Sequence, residues 1–409
     1  MFYAGVMNGQ VSIQEMERRW QAVRLAMQER KIDVLFAYSA SDMVGGHVRY
    51  LLDLPSGGSY PTSLVFPRDD DMTLVVHGSY RGDKSYPPVK EGPVRGVKRT
   101  LTAPAFSSVS LTKTYEAEQC DIALAPFRSA RIGILAPANI PFPLMEYLRG
   151  HTLSQAELID ASDIVDRFKA IKSAEELRLI RSHAALQDEA MRMALDSIEP
   201  GMEEGRIVEV ANQHMRFHGS AQGILMSGSG PIGTPSGIRM PFMQGRKVER
   251  GDQYHMLLEV NSREGYYTEI GRTCVLGKPS EQMLEEFELV LATRQVTLDL
   301  LRPGVPCSQI WDAHNAFMRE RGLAEEKRLY SHGQGYDLVE RPLVRWDEEM
   351  VIEKNMVLAV HPMSATPTSF TWICDNYLVR EDGPPERLHT LEERIFEISS
   401  AKPHAPSQQ

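Results

Sequence analysis

The sequence predicts two domains, an α/β domain followed by a larger domain in which helices and strands occur in two similar halves. Three observations predict this arrangement. The chain of 409 residues is too long for one ordinary hydrophobic core. Strand and helix patterns alternate up to about residue 166. Beyond that point the order of helix, Pro-Gly turn, helix and strands occurs twice.

The first domain begins with an amphipathic helix, predicted by apolar residues at helical spacing from about Ser12 to Arg30. The run IDVLFAYS, from Ile32 to Ser39, predicts a buried strand. SLVFP and MTLVVHG predict two more, each bounded by Pro, Gly or acidic turn residues. ARIGILAPAN and AELIDASDIVD continue the alternation. We therefore expect an α/β domain over residues 1–166.

The second domain opens with a long helix, and Ser173 and Glu176 form an S-x-x-E capping box at its start. IEPGMEEGRIVEVANQHMRFHG and LRPGVPCSQIWDAHNAFMRERG each combine a Pro-Gly turn with an amphipathic helix that ends at a glycine. Strands follow each copy. We expect two helix–helix–sheet halves over residues 167–395. A short polar tail, 396–409, should be disordered or lie loosely on the surface.

Composition and charge narrow the class of partner. Hydrophobic residues make up 42% and charged residues 24%, which is typical of a soluble globular protein. The net charge of −10 argues against a nucleic-acid or anionic-membrane partner. There is no membrane-spanning apolar run, no secretory signal and no disulfide framework among the four cysteines. We expect a cytoplasmic protein in a reducing compartment.

Four segments near the C-terminus carry a resemblance to a known family: LLEVNSREGYYTEIGRT, YSHGQGYDLVERP, NMVLAVHPM and WICDNYLV. Their order, spacing and flanks resemble the creatinase, prolidase and aminopeptidase P family, and the resemblance spans nearly the whole chain. It implies a creatinase-like N-terminal domain and an α+β C-terminal domain of the pita-bread fold. In that fold two related halves form one curved, mainly antiparallel sheet with helices outside.

The resemblance also implies a metal site, but the residues at its five positions have changed. Metal-using members have two aspartates, a histidine and two glutamates. The matching residues here are Glu259, Glu269, His332, His361 and Cys374. Only His332 keeps the residue of the family. This ligand set suits one Zn²⁺ or Fe²⁺ ion better than a pair of Mn²⁺ or Co²⁺ ions. Creatinase-like members use no metal, so the site holds either no metal or one divalent ion.

Each of these residues also has an ordinary structural interpretation. Glu259 and Glu269 could be buried acids in satisfied ion pairs, Cys374 an inert buried thiol, and His361 a satisfied core histidine. Two substrate histidines of the family have no counterpart, since the matching residues are Met240 and Val339.

The resemblance implies a hydrolase that cleaves a C–N bond in a small polar, non-peptide substrate. His332, His361 and Glu340 would be catalytic, while Glu259 and Glu269 would bind substrate or a single metal. The alternatives are an Xaa-Pro peptidase or dipeptidase with an unusual metal site, a lyase on the same fold, and a non-catalytic binding module. A binding module should have lost its polar site, whereas the replacements here remain Glu, His and Cys.

The resemblance further implies a homodimer, in which the N-terminal domain of one subunit closes the site of the other. The candidate edges are LLDLPSGGSYP and GSYRGDKSY, and Arg81 in the latter could bind an anionic substrate group with its guanidinium fork.

Overall fold

The computed structural model describes residues 11–41, 43–54, 60–87 and 94–399. The chain divides into two compact units, Met1–Glu176 and Leu177–Gln409. The domain boundary predicted at residues 166 and 167 lies in the helix Ser162–Ala170, about ten residues before the division between the two units. The assignment of the first unit as a creatinase-like domain stays a prediction.

The first unit contains one mixed sheet. Its described strands are β1 (Val34–Ser39), β2 (Thr62–Pro67), β3 (Met72–His77), β4 (Gly82–Ser85), β5 (Val97–Ala103), β6 (Arg131–Ile134) and β7 (Glu157–Asp160). They lie in the order β4-β5-β3-β2-β1-β6-β7, with β1 antiparallel to β2 and parallel to β6. The helices are α1 (Ile13–Glu29), α2 (Gly46–Leu52), α3 (Tyr115–Leu124), α4 (Phe142–Gly150) and α5 (Ser162–Ala170). The predicted α/β architecture is confirmed.

The capping box at the start of helix α6 (Ala174–Ser197) is confirmed. The Ser173 backbone N–H donates to Glu176 Oε2 over 2.6 Å, and the Glu176 N–H donates to Ser173 Oγ over 3.3 Å. These reciprocal bonds satisfy two backbone donors that have no partner within the helix.

The second unit consists of two halves, as the repeated pattern predicts. The first half contains α7 (Glu204–Phe217), β8 (Gly223–Pro231), β9 (Asp252–Asn261) and β10 (Tyr267–Val275). The second contains α8 (Glu281–Leu300), α9 (Cys307–Glu320), β11 (Ser331–Gly333), β12 (Glu340–Leu343), β13 (Val357–Val360), β14 (Met363–Thr366), β15 (Ser369–Trp372), β16 (Asp375–Leu378), β17 (Glu386–Arg387) and β18 (Phe396–Glu397). Strand orders are β18-β10-β9-β8 and β12-β11-β13-β16-β17, with β14 and β15 forming a hairpin.

The two halves use the same turns. Gly201 and Gly304, in the two Pro-Gly turns, have φ angles of 91° and 88°. Gly219 and Gly322, after α7 and α9, have φ angles of 98° and 67°. These are left-handed conformations that glycine adopts without strain. The sequence echo therefore reflects a repeated backbone design.

A backbone bridge joins the two sheets where the site lies. The Gly271 N–H donates to the Cys374 carbonyl over 3.0 Å, and the Cys374 N–H donates back over 3.2 Å. A side chain at residue 271 would collide with the Trp372 ring, whose nearest atom lies 2.4 Å from an added Cβ. A glycine in β10 therefore lets the second half approach the first closely.

Side chains along β9 point alternately to the hydrophobic core and to the face that carries the site. Met256 and Leu258 pack with Ile270 in the apolar cluster that includes α6 and α7 residues, whereas Leu257 lies on the opposite face beside Trp372. Glu259 shares the face of Leu257 because side chains two residues apart lie on the same side of a strand.

The predicted tail begins too early. Residues 396 and 397 form β18, which pairs with β10, and the Phe396 side chain is buried in the second unit's core. A buried aromatic ring fixes this segment in the fold. The Ile398 N–H donates to the Val275 carbonyl over 2.8 Å, and residues 400–409 of the predicted tail lie outside the described residues. Among the helices that are described, none combines the length and apolar character that a bilayer crossing requires.

Candidate active site

Two acids from neighbouring strands form the floor of the site. β9 and β10 are antiparallel, and their register places Glu259 directly opposite Glu269. Both side chains are buried, with 7% and 2% of their surface exposed. Directly opposed residues on a sheet have adjacent side chains, so two carboxyl groups lie together in a region with little water.

The second half supplies three further groups, all directed at Glu269. His332 comes from β11, His361 follows β13, and Cys374 precedes β16. The Cys374 thiol donates a hydrogen bond to Glu269 Oε1 over 3.0 Å. The Nε2 atoms of His361 and His332 lie 3.8 Å and 3.9 Å from the same oxygen. The five positions predicted from the family resemblance therefore meet around one carboxylate.

The two acids differ in charge. Burial would raise the pKa of Glu269, but His361, His332 and the Cys374 thiol outweigh it and hold that pKa below its usual range. Burial, and then the charge of Glu269, raise the pKa of Glu259 well above its usual range. The pair therefore holds one negative charge, located on Glu269, because two adjacent carboxylates cannot both ionise without a cation.

Burial lowers the pKa of His361 to about 4, although the charge of Glu269 acts in the opposite direction. Burial and then Glu269 raise the pKa of the Cys374 thiol well above its usual range. Cys374 is therefore a protonated thiol. Of the side chains that the second half supplies, His361 is the most accessible, with 17% of its surface exposed.

Amide side chains hold the acids in place. The Gln334 amide donates to Glu259 Oε1 over 3.0 Å and accepts from the Asn376 amide over 2.8 Å. Asn376 Oδ1 in turn accepts the backbone N–H of Glu269 over 2.7 Å. The polar chain runs from one acid to the backbone of the other through two residues of the second half.

Glu269, His332 and His361 fit the requirements of a metal site. One potential ligand atom from each lies within 4.8 Å of the other two. His332 Nδ1 lies 3.0 Å from the Gly333 carbonyl, which makes Nδ1 the donor and leaves Nε2, 3.9 Å from Glu269 Oε1, as the nitrogen that could bind a metal. Two imidazoles and one carboxylate suit Zn²⁺ or Fe²⁺. Glu259 and Cys374 are outside this three-residue group, so these residues fit one ion rather than two.

Two residues predicted to act at the site have other partners. The Glu340 carboxylate accepts hydrogen bonds from the backbone N–H groups of Tyr336 and Asp337, over 3.0 Å and 3.4 Å, and so stabilises the turn before β12. Arg81 lies in the first unit with its guanidinium 3.5 Å from Glu118. Residues 55–59 of the predicted LLDLPSGGSYP edge lie outside the described residues. The catalytic role of Glu340 and the binding role of Arg81 stay predictions.

Sequence reasoning missed Gln334 and Asn376. Both lie inside the motif segments, and both are fully buried amides. A buried amide among apolar strand residues needs hydrogen-bond partners, and this is the sequence signal that could have identified them. The hydrogen-bond partners of His255 were also missed. Its Nε2 lies 2.8 Å from Ser236 Oγ, and its Nδ1 lies 2.9 Å from Thr273 Oγ1.

The sequence of the second unit matches a known protein family. Residues 178–381 match the model of metallopeptidase family M24. The chain is 28% identical over 255 residues to the uncharacterised peptidase YqhT of Bacillus subtilis, a match that covers 60% of this chain and 69% of that protein. It is 23% identical to an Xaa-Pro dipeptidase of Pyrococcus horikoshii, covering 63% and 73%. It is 26% identical to a creatinase of a Bacillus species, covering 53% and 55%.

Solved structures share the fold. The prolidase of Pyrococcus horikoshii superposes with a TM-score of 0.71 at 19% identity, covering 92% of this chain and 99% of that one. The Xaa-Pro dipeptidase of Bacillus anthracis gives a TM-score of 0.74 at 17% identity, covering 93% and 99%. The pita-bread fold predicted for the second unit is thereby confirmed.

Proposed function

Because the chain belongs to the creatinase, prolidase and aminopeptidase P family and is a hydrolase of C–N bonds, we propose that it cleaves such a bond in a small polar, non-peptide substrate with the help of one divalent metal ion. The observation that carries this proposal is the convergence of Glu269, His332 and His361. Three protein ligands with room for a water or substrate are typical of catalytic metal sites.

In this proposal Glu269, His332 and His361 hold the ion. A bound divalent ion would activate water and polarise the scissile carbonyl or amidine. His361 lies at the accessible side of the site, where a substrate would enter. Glu259 and Cys374 act as positioning residues, since the carboxyl group of Glu259 pairs with Glu269 and the thiol of Cys374 donates to it. Gln334 fixes Glu259 in turn.

The preference for a non-peptide substrate rests on two replaced histidines. The family resemblance places substrate-binding histidines at the positions of Met240 and Val339. Both side chains here are apolar and partly exposed, by 38% and 44%. Neither can donate a hydrogen bond to a peptide carbonyl. A substrate recognised through a cationic or amide-like group next to the acids suits this site better.

The alternative is an Xaa-Pro dipeptidase, and the names of several relatives favour it. The acids and histidines would then perform the same reaction on a dipeptide. The two functions differ in substrate and share the metal site, so one experiment can separate them.

The test is metal analysis and a substrate panel on protein purified without chelators or nickel affinity resin. The panel contains Xaa-Pro dipeptides and small guanidino, amidine and N-acyl compounds. We expect one Zn²⁺ or Fe²⁺ per chain and turnover among the non-peptide compounds. A Glu269→Gln protein prepared in parallel controls for contaminating hydrolases. Two tightly bound ions per chain, or turnover of Xaa-Pro dipeptides alone, would contradict the proposal. Turnover by metal-free protein would instead indicate His361 and Glu269 as an acid–base pair.

We also propose that the protein is a homodimer, on the family resemblance alone. Light scattering at micromolar concentration tests this, and a monomer would contradict it.

A further inference from the structure

A cavity of about 340 Å³ lies within the first unit. One wall is Tyr38 from β1, and another is the rigid start of α4 at Pro141 and Pro143. Loop residues 105–110 and the start of α3 complete it. All the described lining residues belong to the first unit, and none of them belongs to the site described above. The volume is in the lower range of small-molecule sites, so it suits a compact ligand.

A buried acid lines this cavity. Glu116, on α3, is only 8% exposed. The Ser63 hydroxyl donates to its Oε1 over 2.7 Å. Among the residues that the structure describes, Ser63 is the sole hydrogen-bond donor to the Glu116 carboxyl group, and no cationic side chain pairs with it. A buried carboxyl group with a single neutral partner is costly unless something else satisfies it.

The surroundings of Glu116 suit an ammonium group. Tyr38 and Phe106 both line the cavity. The Phe106 ring lies 5.0 Å from His77 and 6.3 Å from Tyr60, so the cavity opens beside an aromatic cluster. Aromatic faces attract cations, and a nearby carboxylate strengthens that preference.

The mouth of the cavity is lined by a cationic and by hydroxyl side chains, in contrast to the acid Glu116 inside. Lys113 lines it together with three exposed serines, Ser107, Ser108 and Ser110. An ammonium and several hydroxyls favour a carboxylate and disfavour a second cationic group. The Thr112 hydroxyl bonds the Phe106 backbone at 3.0 Å and 3.2 Å, which holds this loop over the cavity.

We propose that this cavity binds a small zwitterion of the amino-acid type. The ammonium group of the ligand pairs with Glu116 and packs against Tyr38 and Phe106. Its carboxylate lies at the mouth, near Lys113 and the serines. Binding supplies the partner that the Glu116 carboxyl group lacks, and it requires nothing from the metal site.

Isothermal titration calorimetry on the full chain tests the proposal. The zwitterionic probes are L-proline, glycine betaine and 4-aminobutyrate, and the single-sign controls are glutarate and putrescine. We expect saturable binding of at least one zwitterion and no binding of glutarate or putrescine. Glu116→Gln keeps the shape and removes the charge, so it should weaken binding about 10- to 100-fold. Glu146→Gln, an exposed acid on the neighbouring helix α4, should bind like the parent.

Failure of all three zwitterions at low millimolar concentration would overturn the proposal, as would unchanged affinity in Glu116→Gln. Should circular dichroism show that Glu116→Gln does not fold, Val109→Trp takes its place. Val109 lines the cavity and is 43% exposed, so an indole there fills the mouth without removing core contacts. That variant should lose binding, and unchanged affinity would contradict the proposal equally.

Discussion

Glu259 and Glu269 face each other across two antiparallel strands, yet only Glu269 is surrounded by groups that favour a negative charge. The thiol and both imidazoles contact Glu269, whereas Glu259 has the Gln334 amide and the other carboxyl group. Two residues of the same type, one strand apart, therefore differ in protonation because their neighbours differ.

This difference predicts unequal effects of the same substitution. Glu269→Gln removes the charged ligand and should abolish metal binding and turnover. Glu259→Gln replaces a neutral carboxyl group with a neutral amide of similar shape, so it should retain most metal binding. Competition with a fluorescent chelator measures both affinities, and each variant is the control for the other. Equal losses in the two variants would show that Glu259 is also a ligand.

His332→Ala should lower kcat/KM by about 10²-fold or more, because the site loses an imidazole that the Gly333 carbonyl holds in position. The fold should remain, since His332 lies in a short strand flanked by glycine. His218→Ala is the matched control, because His218 is exposed and, among the described residues, its ring hydrogen-bonds only to the His214 carbonyl of the preceding helix. Full activity in His332→Ala would place the catalytic centre elsewhere.

Cys374→Ser should keep activity within a few-fold of the parent, because a hydroxyl can replace the thiol as donor to Glu269. Cys374→Ala should lose more, since it removes the donor without replacing it. Steady-state kinetics with metal content measured on the same samples separates the two. Loss of the metal in Cys374→Ser would show instead that sulfur is a ligand.

Stability should depend on pH through Glu116. Burial raises the pKa of Glu116 from 4.5 to about 7, with Tyr38 and Cys120 as its other titratable neighbours. The folded state holds this proton more tightly than the unfolded state, so stability is full below pH 4.5 and falls as pH rises to about 7. The cost above that range is ~3 kcal/mol. In urea, Glu116→Gln should be more stable than the parent at high pH and lose that advantage in acid.

Much of the fold follows from local sequence patterns. Helical spacing predicted α1, and the Ser173 and Glu176 spacing predicted their reciprocal bonds. The Pro-Gly and terminal glycines predicted the two halves, because glycine adopts a left-handed turn without strain. These signals act over a few residues, and the sequence displays them directly.

The arrangement within the site was harder to predict. The family resemblance identified the positions that converge on Glu269, but not their charges. Gln334 lies 75 positions from Glu259, and Asn376 lies 107 positions from Glu269, so no local pattern links these partners. The orientation of Glu340 depends on a turn whose backbone N–H groups need an acceptor. Protonation states depend on such distant contacts and on burial, which only the folded structure reveals.

The hydrogen-bonded pair Gln334 and Asn376, from the second half of the second unit, positions the two acids of the first half. A single base change can convert a glutamine codon to a glutamate codon, and such a change at residue 334 would place a third carboxyl group beside Glu259. The ion capacity of the site is therefore open to evolutionary adjustment from a residue that is not itself among the candidate ligands. Divergence among related enzymes could alter how many ions they hold while leaving both original acids untouched.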